Sequence, residues 1–132
     1  MSETELPRPT DAELAILAVL WERGASTVRE VHEVLVRSAP GTGYTTVLKL
    51  MQIMTEKGLV VRDESQRAHV YSSRVTQQKT QRQLVTDLLE RAFGGSPTRL
   101  AMQALSTKKA SAEELAELRQ LLDSLEDDKE TP

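Results

Sequence analysis

Apolar residues recur at helical spacing along the first third of the chain, and each stripe is preceded by a helix start signal. Thr10-Asp11-Ala12-Glu13 sets a threonine at an N-cap with a glutamate three residues on, a capping box. Leu14, Ile16, Leu17, Val19, Leu20 and Trp21 then predict a central core helix that runs to about Arg23 and stops at Gly24. Ser26-Thr27 followed by Glu30 offers a second N-cap, for a helix to about Ser38 that buries Val28, Val31, Val34 and Leu35. Ala39-Pro40-Gly41 breaks it, because proline cannot continue the ladder. The stretch 43–57 predicts a third helix, with Thr42 or Gly43 at its start and Gly58 in the left-handed position at its end. Its apolar stripe is Val47, Leu50, Met51 and Met54; the opposite face carries Thr45, Lys49, Gln52 and Glu56.

After Gly58 the period shortens. Leu59-Val60-Val61-Arg62 and Ala68-His69-Val70-Tyr71-Ser72 read as two strands around the polar turn 63–67. An isolated hairpin is marginal in water, so this one must pack on the helices. From Thr76 the pattern is helical again. A helix to about Phe93 ends at Gly94-Gly95, and Ser96-Pro97 starts a short one. Ser111-Ala112-Glu113-Glu114 is a third capping box, before leucines 115, 118, 122 and 125 at spacings of three, four and three.

Three helices and a hairpin are the order of a winged helix-turn-helix domain, with the third helix for the major groove and 62–68 for the wing. The fold expected is therefore mainly α with a small β-hairpin. It comprises a flexible arm (1–9), a winged helix-turn-helix DNA-binding domain (10–75), a helical dimerisation domain (76–126) and a polar tail (127–132). The last three helices have little of their own to bury against. Leu84, Leu88, Phe93, Leu100, Leu105, Leu115, Leu118 and Leu122 are accordingly the expected contacts with a second copy of the chain.

Composition changes this picture in a few places. The chain has 132 residues and no cysteine, which removes disulfides, thiolate metal sites and cysteine nucleophiles together and fits a cytoplasmic protein. No apolar run approaches the ~20 residues of a membrane span. The net charge of −3 argues mildly against a nucleic-acid partner. Its distribution argues the other way: residues 65–86 hold Arg67, Arg74, Lys79 and Arg82 and no acid. Aromatic residues are too few for single-strand stacking platforms. No nucleophile elbow, phosphate-cradling glycine loop or metal-ligand spacing is present, so no enzyme, metal or cofactor is expected. His32 and His69 read as unrelated, His69 on a strand surface.

The candidate chemistry is therefore DNA recognition. Lys49 can reach guanine O6 and N7 or a phosphate, and Gln52 can pair with adenine. Tyr44, Thr45 and Thr46 can hold phosphates or touch thymine methyls. Leu48 and Ile53 read as rim packing or methyl contacts. Arg67, at the wing tip, can enter the minor groove or bind the backbone. The alternative is a winged-helix protein-interaction module that ignores DNA, since fold does not dictate function.

Four stretches in order resemble the penicillinase-repressor (BlaI/MecI) family of winged-helix repressors. They are Thr10–Leu14 leading to Val19-Leu20-Trp21, then Gly43–Leu48, then Glu56–Val60, then Arg67–Tyr71. The resemblance spans about Pro9 to Leu125. It implies a homodimer on a palindromic double-stranded operator, blocking transcription, with C-terminal helices intertwined between protomers. It further implies induction through a membrane-bound metalloprotease sensor and cleavage within the C-terminal domain. This chain departs from the family at two points: the usual Asn-Phe cleavage position falls near Gln103-Ala104, and Ile53 stands where arginine is frequent. The copper-responsive branch carries cysteine pairs near its C-terminus, and their absence here speaks against copper sensing through thiolates.

Overall fold

The structure, a computed structural model, describes residues 7–130, with side chains through Asp128. The element order is α1 (Asp11–Arg23), β1 (Ser26–Thr27), α2 (Val28–Ser38), α3 (Tyr44–Lys57), β2 (Val60–Asp63), β3 (Val70–Ser73), α4 (Gln77–Ala92), α5 (Pro97–Thr107) and α6 (Ala112–Glu130). This is a winged helix followed by further helices. The chain divides into two compact units, Met1–Val85 and Thr86–Pro132.

The helix starts follow the local chemistry of the chain. Thr10 and Thr27 each accept the N–H three residues on at 3.2 Å, and Glu13 and Glu30 each reach back to the capping residue's amide at 2.9 Å. A Ser111–Glu114 box does the same for α6. Gly58 sits at φ +84°, and Leu59 N–H bonds the Met54 carbonyl at 2.9 Å, a Schellman closure of α3.

Two corrections concern the sheet. It has three strands, not two, in the order β1-β3-β2, all antiparallel. Ser26 pairs with Tyr71 and Thr27 with Val70, so Thr27, which caps α2, also lies in the edge strand. The strands of the wing also lie slightly later than expected, which moves the turn to 64–69. His69 is thereby an exposed turn residue rather than a strand residue. Asp63 builds this turn by accepting the Ser65 N–H at 2.9 Å. That amide, followed by the Ser65 hydroxyl, holds the Asp63 carboxyl below its ordinary range.

The core of the first unit lies between the three helices and the sheet. Ile16, Leu17, Val31, Val47, Met51, Met54 and Leu59 are fully buried, with Tyr71 and Val60 nearly so. Val34, Leu35 and Leu50 only flank it. Trp21 is half-buried, and its indole N–H donates to Ser73 Oγ and the Val75 carbonyl, both at 3.0 Å, which pins the exit of β3 to α1. Within the expected arm, the Arg8 carbonyl accepts Lys57 Nζ at 3.1 Å. The rest of that arm, 1–6, lies outside the described residues.

The second unit buries little by itself. Among the described residues of α5 and α6 none is buried. Leu105, Leu115 and Leu122 are exposed, while Phe93, Leu100 and Leu118 are half-buried. Leu84 and Leu88, on α4, are exposed as well. Helix α6 runs on to Glu130, where the sequence suggested a polar tail from 127. No helix among the described residues is long and apolar enough to cross a membrane.

Candidate nucleic-acid interface

With Val47, Met51 and Met54 turned into the core, residues three and four apart from one another fall on the opposite side of α3. Thr45, Lys49, Gln52 and Glu56 form that outward stripe, and all four are exposed. Ile53 borders the stripe and is 37% exposed, at the rim of the buried face. The two flanks of α3 differ. Tyr44 and Leu48 face a shallow groove of about 360 Å³ that they share with Thr27, Val28, Arg29, Arg67, Ala68, His69 and Tyr71. Thr46 lies on the other flank, in an apolar groove with Ala12, Ala15, Leu35 and Leu50.

The structure therefore gathers five of the six expected DNA-facing residues. Tyr44 and Arg67, 23 positions apart in sequence, line one groove, with Thr45, Lys49 and Gln52 on the adjoining stripe. Thr46 stands apart, against α1 and α2. Helix spacing alone could have placed it there, since it is one turn before Leu50. Two residues were missed. Arg29 joins the wing groove because Ser26-Thr27 pair into the sheet, a non-local fact; it also holds Glu33 at 3.5 Å. His32 touches the start of α3, donating to the Thr42 carbonyl at 2.9 Å and meeting the Tyr44 ring edge-to-face at 5.7 Å between centroids.

The charges on this surface are of two kinds. Arg62 is occupied: the Tyr71 hydroxyl, then the Glu64 carboxylate at 2.8 Å, hold its guanidinium more firmly cationic than usual. Lys49 and Arg67 have no ion pair among the described residues. They are cations standing open to a polyanion.

At the far end of α3, Lys57 donates to Glu13 Oε1 at 2.6 Å. Burial by itself pushes the Glu13 carboxyl up. The Lys57 hydrogen bond, the Thr10 amide, the Lys57 charge and the Thr10 hydroxyl together outweigh it and hold the group below its ordinary value. This pair ties the last turn of α3 to the first turn of α1.

A helix with a buried apolar back, an open stripe of hydroxyl, ammonium and amide groups that ends in the Glu56 carboxylate, and a cationic wing tip beside its first turn defines a winged helix-turn-helix protein. The family model described as penicillinase repressor matches residues 9–124, and the chain belongs to that family. It is 33% identical over 123 residues to the transcriptional regulator BlaI of Mycobacterium tuberculosis, covering 92% of this chain and 88% of that one. It is 25% identical over 122 residues to the penicillinase repressor of Bacillus licheniformis, covering 90% and 92%. The solution structure of the DNA binding domain of the repressor BlaI overlaps 55% of this chain and 88% of that one, at 22% identity and a TM-score of 0.49. These relatives are regulators of transcription, not enzymes.

Proposed function

We propose that the chain is a homodimeric, sequence-specific DNA-binding repressor of the penicillinase-repressor type. It reads a palindromic operator with α3 and the wing. The observation that carries this reading is the outward stripe Thr45, Lys49, Gln52 beside the Tyr44–Arg67 groove. Lys49 serves guanine or phosphate, Gln52 adenine, Thr45 and Tyr44 phosphate oxygens, and Arg67 the backbone or minor groove. Thr46, exposed on the far flank, lies away from this groove. Dimerisation is supported by the apolar surface left open on α4, α5 and α6. Leu84, Leu88, Leu105, Leu115 and Leu122 are joined there by Met102, Leu121 and Leu125, all more than half exposed. A two-fold partner burying these residues also supplies the second half-site reader that a small helix-turn-helix module needs.

Release by a membrane metalloprotease sensor is the remaining part of the proposal. Gln103 and Ala104 are exposed but lie mid-helix in α5, so cleavage requires α5 to open first.

The test is a mobility shift on duplex DNA from upstream of the chain's own gene, with sizing of the free protein. Retardation that is competed by the same site and not by random DNA, from a protein of dimer mass, is the expected result. Lys49→Ala should weaken that complex by about 1–3 kcal/mol and relax the sequence preference at one position of each half-site. Equal affinity of wild type for specific and random duplexes would overturn the reading.

A further inference from the structure

Every helix but one has a side chain at its N-terminus bonding its first turn. Thr10, Thr27, Ser96 and Ser111 serve α1, α2, α5 and α6, and Thr76 accepts the Lys79 N–H at 3.1 Å for α4. Helix α3 has Gly43 at its N-cap and no side-chain cap bond. It follows a segment, Gly41-Thr42-Gly43, in which an added Cβ on either glycine would meet open space or ordinary contact. Such a segment has the greatest backbone freedom in the helix-turn-helix pair. Something else must decide where α3 begins and how its first residue is aimed.

We infer that His32 is a positioning residue for the reading helix, latching the Thr42 carbonyl and the Tyr44 ring from the middle of α2. A carbonyl only accepts, so the 2.9 Å contact requires the proton on Nε2 of His32. The same ring lies 80° to the Tyr44 ring, an edge-to-face arrangement that favours one rotamer of Tyr44. His32 itself is seated by α2, next to the fully buried Val31. With the Thr42 N–H bond to the Ala39 carbonyl at 3.0 Å, this one side chain holds the turn before α3, and it also orients the first side chain in the wing groove. It leaves the amides of the first turn of α3 without an intramolecular side-chain partner. His32 touches no DNA in this arrangement; it acts through Thr42 and Tyr44.

The inference deepens the DNA-binding reading and rests on it for one arm of its test. Three full-length proteins are compared: wild type, His32→Leu, which keeps bulk but no donor, and His32→Gln, which keeps a donor at similar reach. Nitrogen NMR of the free proteins should show the neutral His32 ring protonated at Nε2. The amides of residues 41–45 should shift in His32→Leu and return toward wild type in His32→Gln. Binding to a duplex selected from a random pool with the wild-type protein should fall about tenfold in His32→Leu and by about threefold or less in His32→Gln. A neutral ring protonated at Nδ1, or unshifted amides in His32→Leu, would overturn the latch whatever the DNA result. Shifted amides with unchanged affinity would overturn its role in DNA reading. Failure of the wild type to select any duplex would instead overturn the DNA-binding reading, and the amide shifts alone would then decide the latch.

Discussion

Replacing Lys57 by methionine keeps an aliphatic side chain of similar length and removes the ammonium that Glu13 holds at 2.6 Å. The Glu13 side chain is 3% exposed and that of Lys57 32%. Removing one partner of a fully buried pair costs roughly 3–5 kcal/mol. Here one partner is open to water and Glu13 keeps its bond from the Thr10 amide, so the expected loss at neutral pH is smaller, about 1.5–3 kcal/mol, the range for a hydrogen bond to a charged group. The pH dependence is the sharper test. In the folded protein the Glu13 carboxyl lies below its ordinary 4.5, so its ionisation stabilises the fold above that value, and the contribution is lost as pH falls through the lower folded value. Without Lys57, burial is opposed by Thr10 alone and the carboxyl moves up. The variant should therefore lose less stability on acidification, and the gap between the two proteins should narrow below pH ~4. Urea unfolding at a series of pH values measures both. A gap that stays constant from neutral to acid pH, or no gap at all, would refute the assignment of Glu13 as an ionised partner of Lys57.

Two further perturbations test the packing and closure of α3. Met51→Ala, at a fully buried position, should cost about 2–5 kcal/mol by denaturant unfolding, with the value set by how far the surrounding core side chains collapse into the space. Gly58→Ala should cost about 1 kcal/mol; nothing lies within 4 Å of the added carbon, so the whole loss is the left-handed backbone at φ +84°, and a Gly58→Asn variant should recover part of it.

Much of this fold was legible because its signals are local. The capping boxes at Thr10, Thr27 and Ser111, the Ser96-Pro97 start and the Gly58 stop each depend on residues within one helical turn, and all are present in the structure. What was not legible depends on pairing across the chain. Two residues, Ser26 and Thr27, carry no strand signal of their own, and become β1 only because Tyr71 and Val70 lie opposite them. The same pairing brings Arg29 to the wing groove. On α3, periodicity identified the buried stripe but grouped Thr46 with Thr45 as neighbours in sequence; a rotation of one residue puts them on different flanks. The exposure of the C-terminal leucines was anticipated from the lack of a facing element, and Leu121 joins them three residues after Leu118.

The net charge of −3 is a poor guide to this surface, because its acid is unevenly placed. Residues 1–85 hold 11 Lys and Arg against 10 Asp and Glu, whereas residues 86–132 hold 6 against 10. Within a Debye length of about 8 Å at physiological salt, a phosphate responds to the nearest side chains and not to the chain total. Lys49 and Arg67 have no ion pair among the described residues, and Arg29 is shared with Glu33 at long range. If the proposed two-fold operator is bound, Lys49, Arg67 and Arg29 from each protomer would give a slope of log affinity against log salt of about −5, since each neutralised phosphate contributes about −0.9. A titration of the operator complex across salt concentrations measures that slope. A value near zero would show that these three side chains do not meet phosphates. A value near −10 would bring Arg74, Lys79 and Arg82 into the interface and extend the contact surface from the wing onto the start of α4.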